Sequence, residues 1–296
     1  MTDFDWQWIP ARETPRGTFL IAHGMAEHHG RYVDFARFLA ERGWHVLLFD
    51  HPGHGRQAAQ PGNLGKSGWG AVTDRLTVML AHASEQAPDL PLWILGHSMG
   101  SFAVLDHATS MPLPANCRGL VLVGSDSPIG CAVYVMNRLS ALLRRRYGDA
   151  HVSKLVDRLT FGQFNRAFAP NRTRFDWVCG DPDVVSAYVT DPLCGFDCGV
   201  GFWHEFSRVL LRLSRNSTLR QLPQDLQILV LAGGRDPVGR FGKGPVALTR
   251  RLRTHGPGAE LKLYPSMRHE ILNERDKAIV WGDIEKMVAD FSAVPA

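Results

Sequence analysis

Six short apolar runs punctuate the chain: 18–22 (TFLIA), 44–49 (WHVLLF), 92–95 (LWIL), 120–123 (LVLV), 226–232 (LQILVLA) and 261–264 (LKLY). Their hydrophobicity is largely continuous rather than alternating. That pattern implies burial on both faces and predicts central strands of a parallel sheet. Helical stretches at 32–42, 70–85 and 101–109 fall between the runs. Strand alternating with helix predicts a mostly parallel, doubly wound α/β architecture. Residues 5–9 are expected to add an antiparallel edge strand.

The alternation breaks after Val123. Between 125 and 216 there are helix-like segments and loops but no convincing buried strand. Helices are predicted over 136–146 and 152–160. The stretch 177–202, with Gly, Pro and Cys at close spacing, reads as loop containing one short helix at 182–188. An insertion between two strands of such a sheet sits above their C-terminal ends, where ligands bind in these folds. The expected organisation is therefore a core built from 1–124 and 217–296, capped by a helical lid at 125–216. Ile129, Val133, Met136, Leu139 and Leu143 are spaced by three and four, which places them on one face of a helix. Phe202, Trp203 and Phe206 form a second apolar cluster. Either both clusters pack the lid onto the core, or part of this surface, Ile129, Met136 and Phe202 included, faces the cleft and contacts an apolar ligand.

Composition changes this picture little. The 296 residues are 45% hydrophobic and 21% charged, ordinary for a globular protein, and a core of this size needs no disulfides or structural metal. The formal charge of +4 is dispersed except at Arg144, Arg145 and Arg146. That triplet reads first as a solvated helix face, with transient contact to a lipid surface as the functional alternative. No basic and aromatic clustering suggests nucleic acid. Five cysteines without paired spacing suit reduced thiols. The acidic start of the chain lacks an apolar signal segment, and no run approaches a membrane span; a cytoplasmic protein is expected.

The strongest chemical signal is Gly96-His97-Ser98-Met99-Gly100, between a buried strand and a helix. A strand-turn-helix with glycine on both sides turns the backbone sharply and lifts a serine hydroxyl to the top edge of the sheet. A hydroxyl is a poor nucleophile at neutral pH and needs a base within hydrogen-bond reach. With this turn, the acid and then the histidine follow downstream. Asp236 closes a buried strand and Gly-rich turn, and His269 sits in the loop after the last strand. Asp126 is a weaker candidate acid. Glu270 adjoins His269, where neighbouring side chains seldom point the same way, and His255 is an unlikely base. Backbone amides of Met99 and of Met25, in the loop after the first core strand, are the expected oxyanion donors. The histidines His23, His28, His29, His51, His54 and His97 crowd this end of the sheet, but no metal-ligand spacing accompanies them. Ring packing is expected there, with no metal and no cofactor.

Taken together, His23-Gly-Met-Ala-Glu-His28 with Arg31-Tyr32, Asp50-His-Pro-Gly-His-Gly55, the Ser98 turn, Gly233-Gly-Arg-Asp236 and the His269 loop resemble the monoacylglycerol lipase and lysophospholipase branch of the α/β-hydrolases, also described as serine-aminopeptidase-like. The resemblance spans the core in order and leaves the insertion divergent. One departure is Gln57 after Arg56, where the family usually has a small hydroxyl residue. The resemblance implies that Glu27 and Arg31 line or brace the polar end of an acyl pocket. It also implies hydrolysis of a single-acyl lipid ester by Ser98, His269 and Asp236. Acyl transfer, thioester or peptide hydrolysis, and a ligand-sensing relative without turnover remain open alternatives, because they share the site.

Overall fold

The computed structural model describes residues 5–128 and 130–292. Apolar residues fill both faces of its strands: β2 (Gly17–Ala22) and β4 (Leu92–His97) are buried throughout. β3 (Trp44–Phe49), β5 (Cys117–Val123) and β6 (Gln227–Gly233) are buried over nearly all their length. β7 (Glu260–Tyr264) closes one edge, and β1 (Trp6–Ile9) pairs antiparallel with β3 at the other. The order is β1-β3-β2-β4-β5-β6-β7, parallel except for β1. This is the mostly parallel, doubly wound α/β arrangement that the apolar runs predict, and the α/β-hydrolase order that the resemblance implies.

Helices cover both sides of the sheet. Phe19 and Ile21 of β2 face a core shared with α1 (Val33–Ala40) and α11 (Lys277–Ser292). Leu20 and Ala22 face the opposite core, with α2 (Trp69–Gln86), α3 (Met99–Ser110) and α10 (Lys243–His255). The chain leaves β2 toward β3 on one side and returns to β4 on the other. The crevice at the C-terminal ends of β2 and β4 is therefore the topological switch point, the usual ligand site of open α/β sheets. Ala22 pairs with Gly96 there, so the loop after β2 and the Ser98 turn are neighbours.

Between β5 and β6 the described residues form helices and loops only: α4 (Gly130–Tyr147), α5 (Lys154–Leu159), α6 (Phe161–Phe164), α7 (Pro182–Thr190), α8 (Val200–Leu213) and α9 (Asn216–Leu219). Two elements depart from the sequence reading. α4 begins six residues earlier than expected, at Gly130. The stretch read as loop to 202 instead ends in α8, whose Phe202, Phe206, Val209 and Leu213 repeat at helical spacing against the core. Gly199 and Gly201 at its start disguise that periodicity. On α4, Val133, Met136, Leu139 and Leu143 are all half-buried, as one face requires; Ile129 lies outside the described residues. Within the arginine triplet, Arg144 pairs with Asp149 and Glu205, while Arg145 and Arg146 are exposed. No helix among the described residues is long and apolar enough to cross a membrane.

Candidate active site

Ser98 sits between β4 and α3 at φ 51° and ψ −117°, a backbone conformation that non-glycine residues rarely adopt. Its neighbours explain how the turn closes so tightly. A Cβ on Gly96 would lie 2.5 Å from the Gly100 carbonyl oxygen, and one on Gly100 would run into the carbonyls of Ala22 and His23. The strain is held by packing on both sides and is of the kind that collects at functional sites.

β6 and β7 are paired neighbours, which brings their loops together. Arg235 N–H donates to Met267 O at 2.9 Å, zipping the acid loop to the base loop. Asp236 is fully buried; its Oδ1 accepts from Val238 N–H at 2.8 Å, and its Oδ2 lies 2.9 Å from His269 Nδ1. Burial pushes the His269 imidazole toward its neutral form, but the Asp236 carboxylate and its hydrogen bond prevail, and the pKa is raised above its ordinary value. Ser98 and His269 border the same cavity. Asp126, the rival acid, instead accepts from Arg240 at 2.7 Å.

That cavity, of about 730 Å³, is walled by apolar side chains, among them Phe102, Met136, Leu159, Trp203, Phe206 and Leu210. Met25 and Met99 border it beside Ser98. Among the described residues, their N–H groups donate to no loop carbonyl or side chain. Phe202 corrects the sequence reading. It is 1% exposed and belongs to the core beside His54 and Phe206, because the helical phase of α8 turns Trp203, Phe206, Ser207 and Leu210 toward the cavity.

The polar end is a buried charge network. Glu27 accepts from Gly24 N–H (2.5 Å), Tyr32 Oη–H (2.7 Å) and Arg31 (2.7 Å), and lies 3.1 Å from His97 Nδ1. Burial opposes the Glu27 charge, yet His97 and Arg31 hold its carboxyl well below the usual range. Arg31 also grips Glu270 through two bonds of 2.5 and 2.6 Å and stacks 4.8 Å from the Tyr188 ring. Glu27 and Glu270 line the cavity, whereas Arg31 stands behind them, tying the two together. Sequence reasoning missed Glu270, Trp177 and Tyr188. The first was set aside for adjoining His269, and the others lie in the insertion, where no motif marks them.

His23, His51 and His54 pack ring against ring at 4.6 to 6.4 Å. The described residues contain one cluster within metal-ligating distance: His28, Asp191 and Cys194. There His28 Nδ1 accepts from Gly30 N–H at 3.2 Å, which puts the ring proton on Nε2, facing Asp191 at 2.9 Å.

A family model described as "Serine aminopeptidase, S33" matches residues 13–276. A monoacylglycerol lipase of Mycolicibacterium smegmatis is 29% identical over 286 residues, covering 95% of this chain and 90% of the relative. A monoglyceride lipase homolog of Monkeypox virus is 33% identical, covering 93% and 90%. The crystal structure of a thermostable carboxyl esterase from Bacillus coagulans in complex with glycerol superposes with a TM-score of 0.91 at 26% identity, covering 98% of this chain and 94% of that one. The chain belongs to the serine aminopeptidase (S33) family of α/β-hydrolases.

Proposed function

We propose that this hydrolase cleaves the ester bond of a neutral single-acyl lipid, a monoacylglycerol, through an acyl-enzyme on Ser98. The observation that carries the reading is the placement of Ser98, in its strained turn, with the Asp236–His269 pair on one large apolar cavity that has a polar end. Ser98 Oγ attacks the ester carbonyl while His269 Nε2 takes its proton, and Asp236 holds the ring in the tautomer that leaves Nε2 free. The Met25 and Met99 amides receive the oxyanion. Collapse expels the alcohol, which takes the proton from His269. Water, deprotonated by the same imidazole, then releases the fatty acid and restores Ser98.

The polar end argues for a neutral alcohol over a phosphate-bearing one. Two carboxylates, Glu27 and Glu270, share the guanidinium of Arg31, so that end presents net negative charge to a phosphate, although Arg166 and Arg240 also border the cavity. His97 Nε2, itself buried, has no hydrogen-bond partner among the described residues. Residues 125–216 act as a lid, and the exposed Tyr134, Val135 and Leu142 beside Arg145 and Arg146 suit passing contact with a lipid surface.

The test compares Ser98→Ala with the native enzyme. The variant should lose about 10⁶-fold in kcat and escape labelling by a fluorophosphonate. Native enzyme should turn over monoacylglycerol well ahead of lysophosphatidylcholine. Labelling at another serine would overturn the nucleophile, and a preference for lysophosphatidylcholine would overturn the alcohol assignment.

A further inference from the structure

Met25, whose amide is read above as an oxyanion donor, lies between residues whose peptide groups are pinned on every side. Gly24 O accepts from His23 Nδ1 at 2.7 Å, and His23 Nε2 accepts from His51 N–H at 3.0 Å. Ala26, the next residue, is buried at φ 55°, in the left-handed region that non-glycine residues rarely adopt. Its N–H donates to His54 Nε2 at 3.1 Å, and His54 Nδ1 is 3.0 Å from Pro52 O, which fixes the acceptor tautomer. Burial drives the His54 pKa down to about 3, so it remains an acceptor at working pH. The Ala26 carbonyl receives two donors, Tyr188 Oη–H at 2.9 Å and Gly195 N–H at 2.9 Å.

Both of these last donors come from the insertion between β5 and β6, not from the sheet. We infer that Tyr188 is a positioning residue for the oxyanion hole: its hydroxyl holds Ala26 in a strained conformation and so aims the Met25 N–H at the reacting carbonyl. Tyr188 suits the task on two further counts. Its ring is clamped by Arg31 at 4.8 Å and by Phe175 at 5.1 Å, so the hydroxyl has a fixed origin. Burial and the nearby Glu270 and Glu27 keep the phenol protonated well above its ordinary range, so it donates at any pH at which the enzyme works. The hole is thus completed by the same segment that covers it. The inference rests on the Ser98 and Met25 reading, which Ser98→Ala tests separately. An inactive Ser98→Ala beside an unaffected Tyr188 variant would sink this inference alone.

The experiment is Tyr188→Phe, which keeps the ring, its stacking and the Gly195 bond to Ala26. It is assayed on p-nitrophenyl butyrate and on a monoacylglycerol. Because Tyr188 also borders the cavity, a direct contact with glycerol must be separated from positioning, and the nitrophenyl ester has no glycerol. Positioning predicts a fall in kcat of about tenfold on both substrates with KM within twofold, a fraction of the 10²–10³ that follows loss of a whole oxyanion donor. A trifluoromethyl ketone, which forms a hemiketal oxyanion on Ser98, should bind about tenfold more weakly. A non-cleavable ether analogue of the substrate should bind as before. A loss confined to the monoacylglycerol, unchanged ketone affinity, or equal weakening of both inhibitors overturns the inference. So does a variant that no longer folds, since Tyr188 would then be structural.

Discussion

Two of the stretches with which the insertion borders the cavity are tied to the core in different ways. Residues 175–195 carry a small core of their own, including Phe175, Trp177, Val185 and Tyr188. Their backbone is laced into the loop after β7 that carries His269. Glu270 N–H donates to Val178 O and Gly180 N–H to Glu274, at 2.8 and 2.9 Å; Arg268 grips the carbonyls of Asp176 and Cys179, and the Trp177 ring lies 5.3 Å from that of His269. Residues 130–164 lean instead on α8, through Asn137 to Ser207 at 3.0 Å and Arg144 to Glu205 at 3.3 Å, and leave Tyr134, Val135, Leu142 and Leu155 exposed. One insertion in sequence is therefore two devices in space. We propose that the second half is part of the site's frame and that the first half, bonded mainly to α8, is its cover.

The sharpest way to break this division is at the two aspartates that compete to be the acid. Asp236 belongs to the frame, and Asp126 sits at the root of the cover, held by Arg240. Asp236→Asn should cost about 10⁴-fold in kcat with little change in KM, because the imidazole then takes the wrong tautomer. Asp126→Asn should cost less than about tenfold, since it leaves the His269 pairing untouched. Steady-state kinetics on one soluble ester decides, and the reverse ranking would move the acid to the insertion's root.

Stability separates the halves next. Arg31→Met removes the guanidinium between Glu27 and Glu270, both nearly fully buried, and should destabilise by roughly 3–5 kcal/mol through the unpaired charge left behind. Leu142→Ser, on the exposed face of the cover, should stay within about 0.5 kcal/mol. Urea midpoints compare the two directly. Equal losses would mean that the cover is as integral as the frame.

How far each half was legible follows from the same contrast. The sheet announces itself because continuous apolar runs must be buried on two faces, and the Ser98, Asp236 and His269 loops because each terminates such a run. Resemblance supplied Glu27 and Arg31, but neither it nor spacing reveals that Glu270, far along the chain, completes their network. Nor does any local pattern tell that Tyr188 reaches back to Ala26. These are long-range contacts from a segment whose own periodicity is short. Phe202 failed for a simpler reason. On α8 a shift of one residue turns a side chain through about 100°, so Trp203 faces the cavity while Phe202 packs in the core.

Proton linkage probes the frame alone. Burial pushes His269 down, but Asp236 raises it further, so its folded pKa exceeds the ~6.5 of a free imidazole. The acid limb of kcat/KM, which reports loss of the neutral base, should therefore lie above about pH 6.5. The stability this pairing contributes is complete below the unfolded pKa and fades as pH rises through the folded one. Asp236→Asn should move the acid limb downward, whereas Leu142→Ser, an uncharged change on the exposed face of the cover, should leave it in place. A limb unmoved by Asp236→Asn would detach the carboxylate from the base.

The cover shows itself only in the effect of acyl length. Met136 on α4 and Trp203 on α8 both border the cavity, where an acyl chain lies if the proposed function holds. Each methylene buried there adds roughly 0.8 kcal/mol, so kcat/KM should climb about fourfold per carbon along a series of p-nitrophenyl esters until the cavity is full. Met136→Asp places a carboxylate on that surface and should flatten the climb, while acetate-ester turnover, which needs only the frame, stays nearly native. Tyr188→Phe should do the opposite, lowering every ester by one factor and leaving the slope intact. If Met136→Asp also lowers all chain lengths equally, α4 supports the core rather than the acyl chain, and the distinction between cover and frame fails at the point where it touches substrate.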